Sequence, residues 1–195
     1  TLSEGSHSKF LGYERLTTKS SIRKYAFDGQ SLFVLLDQTP FYAESGGQIG
    51  DAGTIKGKNI DLQVLDVKKE GEMFLHICKG NIAENSKVKC KVSKKRRNSI
   101  KRNHTATHLV HQALRFVLGN HVQQKGSMVN SKMVRFDFSH FSKLKNEQLK
   151  NVEKFVNERI LEKIPLEEQR EVSYDKAIEG GAIALFGEKY GNCLL

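Results

Sequence analysis

The chain has 195 residues, 38% of them hydrophobic and 28% charged, which is room and composition for one compact domain or two small ones. That mixture excludes a collagen-like or low-complexity chain, and no apolar run reaches the roughly 18 residues a membrane span needs. Lys and Arg number 32 against 22 Asp and Glu, a net charge of +10, so acidic partners, nucleic acid among them, come into view.

In chain order, Thr1–Phe10 is polar and has no apolar segment of the kind a secretory leader carries. Position 1 is Thr rather than Met, which points to a piece of a longer protein. The first half then reads as β. Leu32–Asp37 is a short apolar run, Ile60–Val67 roughly alternates, and Met73–Cys78 and Lys87–Val92 follow. In the last of these Val88, Cys90 and Val92 share one face and lysines the other. Gly29, Gly46, Gly47, Gly50, Gly53, Gly57, Gly71 and Gly80 punctuate these runs as turn residues do. Short strands at this spacing predict a small barrel or strongly bent sheet.

The period then changes. Ile100–Leu118 predicts a helix closed by Gly119, Met128–Phe138 returns to alternation, and Asn146–Lys163 carries Leu149, Val152, Val156 and Ile160 on one stripe before Pro165. A strand at Pro165–Val172, a short helix at Tyr174–Glu179 and a strand at Ile183–Phe186 complete the expectation. The fold class is therefore α+β, with a β-rich barrel-like subdomain over residues 1–93 and an α+β subdomain over 94–195. Cys78, Cys90 and Cys193 are odd in number and widely spaced, which outlines no disulfide framework and favours a reducing, cytoplasmic setting.

Three features bear on chemistry. Between Lys87 and Arg102 lie nine basic residues and no acidic one, either a phosphate-attracting cluster or a solvated linker face. His104 and His108 stand four residues apart on the predicted helix, so both project from one face, as a shared metal ion requires. The Glu of a HExxH protease is missing, and such a pair is by itself more often surface or structural; His111, one turn on, reads as packing. Lastly, Thr39-Pro40-Phe41-Tyr42 leads into Ser45-Gly46-Gly47-Gln48. Bare backbone at Gly46-Gly47 lets a ligand approach closely, with Thr39 and Gln48 supplying hydroxyl and amide, yet the same pair also suits a plain turn between strands.

Five motifs in order carry a resemblance. They are Thr39–Tyr42 with Ser45–Gln48, Asn103–Leu109, Gly119–Ser127, Arg135–Phe138 and Ala184–Gly191. Across about Leu11 to Gly191 the chain resembles the internal editing domain of alanyl-tRNA synthetases. The resemblance implies a small β-barrel packed on an α+β subdomain like the editing region of threonyl- and alanyl-tRNA synthetases. It implies hydrolysis of tRNA(Ala) mischarged with serine or glycine, within a parent chain that attaches alanine using ATP. A synthetic site sized for alanine admits glycine and rejects serine weakly, so a second, hydrolytic sieve is needed. By the family pattern His104 and His108 bind Zn2+, Gln124 lies near the scissile ester as the catalytic residue, and Gly46, Gly47 and Gln48 line the pocket. Thr39 would meet the serine hydroxyl. Lys94, Lys95, Arg96, Arg97, Lys101 and Arg102 would contact tRNA phosphates. The family's other two zinc ligands sit in a Cys-x-x-x-His motif expected beyond Leu195; Cys193 comes too early to be one of them. Zinc in this chain is thus expected to be absent or weakly held. A freestanding trans-editing deacylase and a non-catalytic tRNA-binding module are the alternatives, and a small-molecule metallohydrolase leaves the basic cluster unexplained.

Overall fold

Strict alternation builds the first half. In a strand, successive side chains face opposite sides, and Lys87–Val92 buries Val88, Cys90 and Val92 while exposing Lys87, Lys89 and Lys91. The computed structural model of the chain describes residues 7–82, 87–165, 172–173, 176, 179–180 and 193–194. It has two compact units, one of Thr1–Asn103 with Met128–Met133, the other of His104–Ser127 with Val134–Leu195. The division falls inside a helix, ten residues beyond the boundary expected at 93/94.

In the first unit β1 (Lys9–Phe10) pairs in parallel with β4 (Gln38–Thr39). The rest is a closed antiparallel barrel of β2 (Thr17–Phe27), β3 (Leu32–Leu36), β5 (Gly53–Gly57), β6 (Ile60–Glu70), β7 (Met73–Asn81) and β8 (Lys87–Val92), in the order β2-β3-β7-β6-β5-β8. Val34, Leu36, Phe41, Ile55, Leu62, Val64 and Cys78 fill its interior. In β6 the register shifts between Val64 and Asp66, which turns Leu65 outward and returns Val67 to the core. The α+β expectation is met. The expected strands in this half are present, but β2 and β5 had no expectation, because β2 is rich in Thr, Ser, Lys and Arg and β5 is bounded by glycines.

Helix α1 (Lys94–Leu118) begins six residues earlier than its apolar pattern. Lys and Arg are good helix formers, so the basic cluster is helix rather than linker. Gly119 ends it with φ 113°, its N–H bonded to Arg115 O. The alternating stretch 128–138 is two strands, β9 (Gln124–Val129) and β10 (Val134–Phe138). Between them the Asn130 side-chain amide oxygen Oδ1 accepts from the Lys132 and Met133 N–H groups, a local turn that outcompetes a continuous strand. Helix α2 (Asn146–Leu161) follows, with no buried residue along it. Val172–Ser173 pairs with Cys193–Leu194. The expected elements at 165–172, 174–179 and 183–186, and the motif at 184–191, lie wholly or largely outside the described residues. No described helix is long and apolar enough to cross a membrane.

Candidate functional site

The residues of interest fall in both units. In the first, the Thr39–Gln48 loop is fixed by one buried ion pair. Arg97, 7% exposed, donates from Nε to both Asp51 carboxylate oxygens (3.0 and 2.9 Å), from Nη1 to Gly12 O (2.8 Å) and from Nη2 to Pro40 O (3.0 Å) and to Asp51. The Tyr42 N–H completes Asp51 at 2.8 Å. Four of the five guanidinium N–H groups of Arg97 donate to protein oxygens and the side chain is buried, so the expected phosphate contact is corrected. Its charge is spent on clamping the start of α1 to the loops at 12 and 40, and burial leaves nothing for an external anion. Arg96 is half-buried and donates to Gly50 O at 3.2 Å. Lys94, Lys95, Lys101 and Arg102 are exposed.

Thr39 is a second correction. It is fully buried, and its hydroxyl lies 2.7 Å from His76 Nε2 and 3.1 Å from the Phe41 N–H. His76 Nδ1 stands 2.9 Å from Val34 O, which can only accept. The proton is therefore on Nδ1, and Nε2 accepts from Thr39, whose oxygen accepts in turn from Phe41. Burial pushes His76 down to about 4, so the imidazole is neutral. With both hydrogen-bonding capacities committed and no exposed surface, this hydroxyl does not line a pocket. Phe41 is likewise core, edge-on to His76.

Gly46 and Gly47 are exposed, with φ of 56° and 78°, the positive pair a type I′ turn demands. Ser45 and Gln48 exchange backbone hydrogen bonds across this turn (3.1 and 2.9 Å), and Gly47 O accepts from the Val129 N–H at 2.8 Å. Gln48 is buried.

In the second unit His104 is half-buried and His108 exposed on α1, their rings 5.3 Å apart and within 11° of parallel. What suits a shared zinc is their placement, one turn apart on the same helix face, which could supply two of its ligands. Among the described residues no third His, Cys, Asp or Glu joins them. His111 packs on Phe136 at 5.4 Å and is buried; burial and the nearby Arg115 hold its pKa below the usual value. Gln124 opens β9 half-buried, its Nε2 donating to Ser127 Oγ at 3.2 Å. His121 and His140, with no role expected from sequence, share a 2.9 Å hydrogen bond beside Phe141. Cys78 and Cys90 are free thiols in the barrel core, pushed up to about 12 by burial and so inert.

Similarity to known proteins is found at two levels. Residues 3–96 match the family model for tRNA synthetases class II (A). More narrowly, the chain is 49% identical over 191 residues, 94% of its length, to alanine–tRNA ligase of Christiangramia forsetii. It is 48% identical over 195 residues, 97% of its length, to that of Cytophaga hutchinsonii, and 47% over 198 residues, 95%, to that of Acetivibrio thermocellus. The chain spans 22% of the length of each of these relatives. Its sequence is that of a segment of the alanine–tRNA ligase family.

Proposed function

We propose that this chain is the editing segment of an alanine–tRNA ligase, hydrolysing tRNA(Ala) mischarged with serine or glycine in the cytoplasm, in company with the ATP-dependent ligation centre of its parent. The observation that carries the reading is the stacked His104–His108 pair, left partly open on α1 in a chain so similar to these ligases. His104 and His108 would hold zinc together with ligands outside the described residues. Bound there, zinc supplies a Lewis acid for the ester carbonyl or an acidified water.

Hydrolysis breaks the bond between the aminoacyl carbonyl carbon and the ribose oxygen. Water adds to the carbonyl, the tetrahedral adduct expels the ribose oxygen, and that oxygen takes up a proton. Gln124, whose carboxamide N–H donates to the neighbouring Ser127 hydroxyl, is suited to donate to the developing oxyanion. The Gly46-Gly47 turn offers bare, exposed backbone to a substrate. Lys94, Lys95, Lys101 and Arg102, exposed along the first turns of α1, would neutralise phosphates. Gln48 stays assigned to the pocket lining by the family pattern, through its backbone more than its buried side chain.

The test is deacylation of Ser-tRNA(Ala) and Gly-tRNA(Ala) by this chain and by the whole ligase, each with and without added zinc. Hydrolysis by the ligase that His104→Ala/His108→Ala abolishes, and that Gln124→Ala lowers about 100-fold, is the expected result. If neither protein cleaves the ester, editing is overturned. A metal-free tRNA-binding module is then the better account.

A further inference from the structure

The barrel's outward face carries charge in a pattern its stability does not call for. Lys89, in the middle of β8, stands directly opposite Lys19 of β2 on one side and Lys56 of β5 on the other. Three ammonium groups therefore form one row across three hydrogen-bonded strands. Directly opposed residues lie about 5 Å apart at Cβ, and like charges so placed destabilise a sheet. Lys87 and Lys91 flank the row along β8, about 6.6 Å to either side, and all five lysines are exposed. Hydroxyls fill the neighbouring cross-strand places: Ser21 opposite Lys87, and Thr17 and Thr54 on either side of Lys91.

Lysines often protect the exposed edge of a sheet, but this barrel is closed and has no edge to protect. Nor are the charges neutralised from within. Lys56 pairs with Asp61 at 2.9 Å, while among the described residues no carboxylate pairs with Lys19, Lys87, Lys89 or Lys91. Asp37 reaches the same face, where it is occupied: burial would raise its pKa, but bonds from the Ser20 hydroxyl and the Ser21 and Gln38 N–H groups outweigh that and hold it low. Lys19, Lys56, Lys87 and Lys89, with Asp37, border a shallow groove of about 560 Å³.

We propose that this face, centred on Lys19, Lys89 and Lys91, is a docking surface for the phosphodiester backbone of an RNA, distinct from the basic first turns of α1. Evenly spaced ammonium groups interleaved with hydroxyls are the chemistry that backbone phosphates take, with release of counterions. No aromatic side chain belongs to the row, so contacts are to phosphate rather than to stacked bases, and recognition here is indifferent to sequence. The proposal extends the editing reading by giving its tRNA a second point of purchase, and it stands or falls separately.

Binding of uncharged tRNA(Ala) to the 195-residue chain, followed by fluorescence anisotropy over a salt series, tests it. The triple variant Lys19→Gln/Lys89→Gln/Lys91→Gln is compared with Lys143→Gln/Lys150→Gln/Lys154→Gln, which removes the same charge around α2. The row variant should bind about tenfold more weakly at low salt and flatten the plot of log Kobs against log[salt] by about 2. Its thermal midpoint should equal or exceed that of the parent chain, since repulsion is relieved. Unchanged tRNA affinity in a row variant of normal midpoint overturns the proposal, as does an equal loss in the α2 control, which would reduce the effect to net charge. Uncharged tRNA carries no ester, so a failure of editing leaves this result intact.

Discussion

The two units solve the same problem with different means. The barrel closes on itself, buries Val34, Leu36, Ile55, Leu62, Val64 and Val67 almost completely, and saturates the polar groups it takes inside. In the second unit α2 has a clean apolar stripe, yet Leu149 and Ile160 on it remain 48% and 52% exposed, and Phe155 meets the exposed Phe116 ring at 5.2 Å and the Arg159 guanidinium at 5.4 Å. Helical periodicity says which residues share a face. It does not say that the face is covered.

The sharpest way to break the contrast is at Asp51. Asp51→Ala leaves the Arg97 guanidinium charged and unpaired where it is 7% exposed, and removing one partner of a buried pair costs about 3–5 kcal/mol. Urea unfolding followed by far-UV circular dichroism should show that loss. Arg102→Ala, a few residues along the same helix and exposed, should change the midpoint by no more than about 0.5 kcal/mol.

Acid gives the next largest effect. His76 is held near 4 when folded because burial excludes its cation, and in the unfolded chain it titrates at its ordinary 6.5. Between those values the unfolded state binds the extra proton. The His76 contribution is complete above pH 6.5 and is lost as pH falls toward 4, to a total of about 3 kcal/mol. His111, displaced in the same direction, adds to the slope. Urea midpoints measured from pH 8 to pH 4 should fall through that window. A flat profile would mean that His76 is not the neutral, buried group its two hydrogen bonds describe.

Thr39 comes third. Thr39→Val keeps the shape but strands His76 Nε2 and the Phe41 N–H, at a cost of about 2 kcal/mol. Thr39→Ser, which keeps the hydroxyl, should recover most of it. Loss of serine discrimination in the valine variant with an unchanged melting point would reverse this assignment and restore the substrate contact expected from sequence.

These three sites mark the limit of what the sequence discloses. Alternation alone locates β6, β7 and β8, and a helix-terminating glycine locates the end of α1, because those signals are local. Arg97 offers no local sign that separates it from Lys94, Lys95 and Lys101. Its partner Asp51 lies 46 residues away, and only closure of the barrel loops brings the two together. Thr39 and His76 are 37 residues apart for the same reason, so a hydroxyl set in a loop motif reads as a ligand contact when its partner is unseen. His104 and His108, four apart on one helix, were legible as a pair from spacing. The lysine face was half-legible: the Lys-Val-Lys-Cys-Lys alternation of β8 shows that its lysines share a side, while the opposing Lys19 and Lys56 become visible only through strand register.

The smallest expected effect falls in the second unit and tests the opening contrast directly. Leu149→Ala removes a side chain already about half in water, so little apolar area is lost from burial and no cavity is created. The change should cost about 0.5 kcal/mol, with part of that offset by the better helix propensity of alanine. Leu62→Ala in β6 removes the same atoms from a fully buried site, where transfer and cavity terms together cost about 2–5 kcal/mol. Measured side by side in urea, the two leucines should differ several-fold. Near-equal losses would mean that α2 is covered in solution, and the distinction drawn between a filled barrel and an uncovered helix would have to be given up.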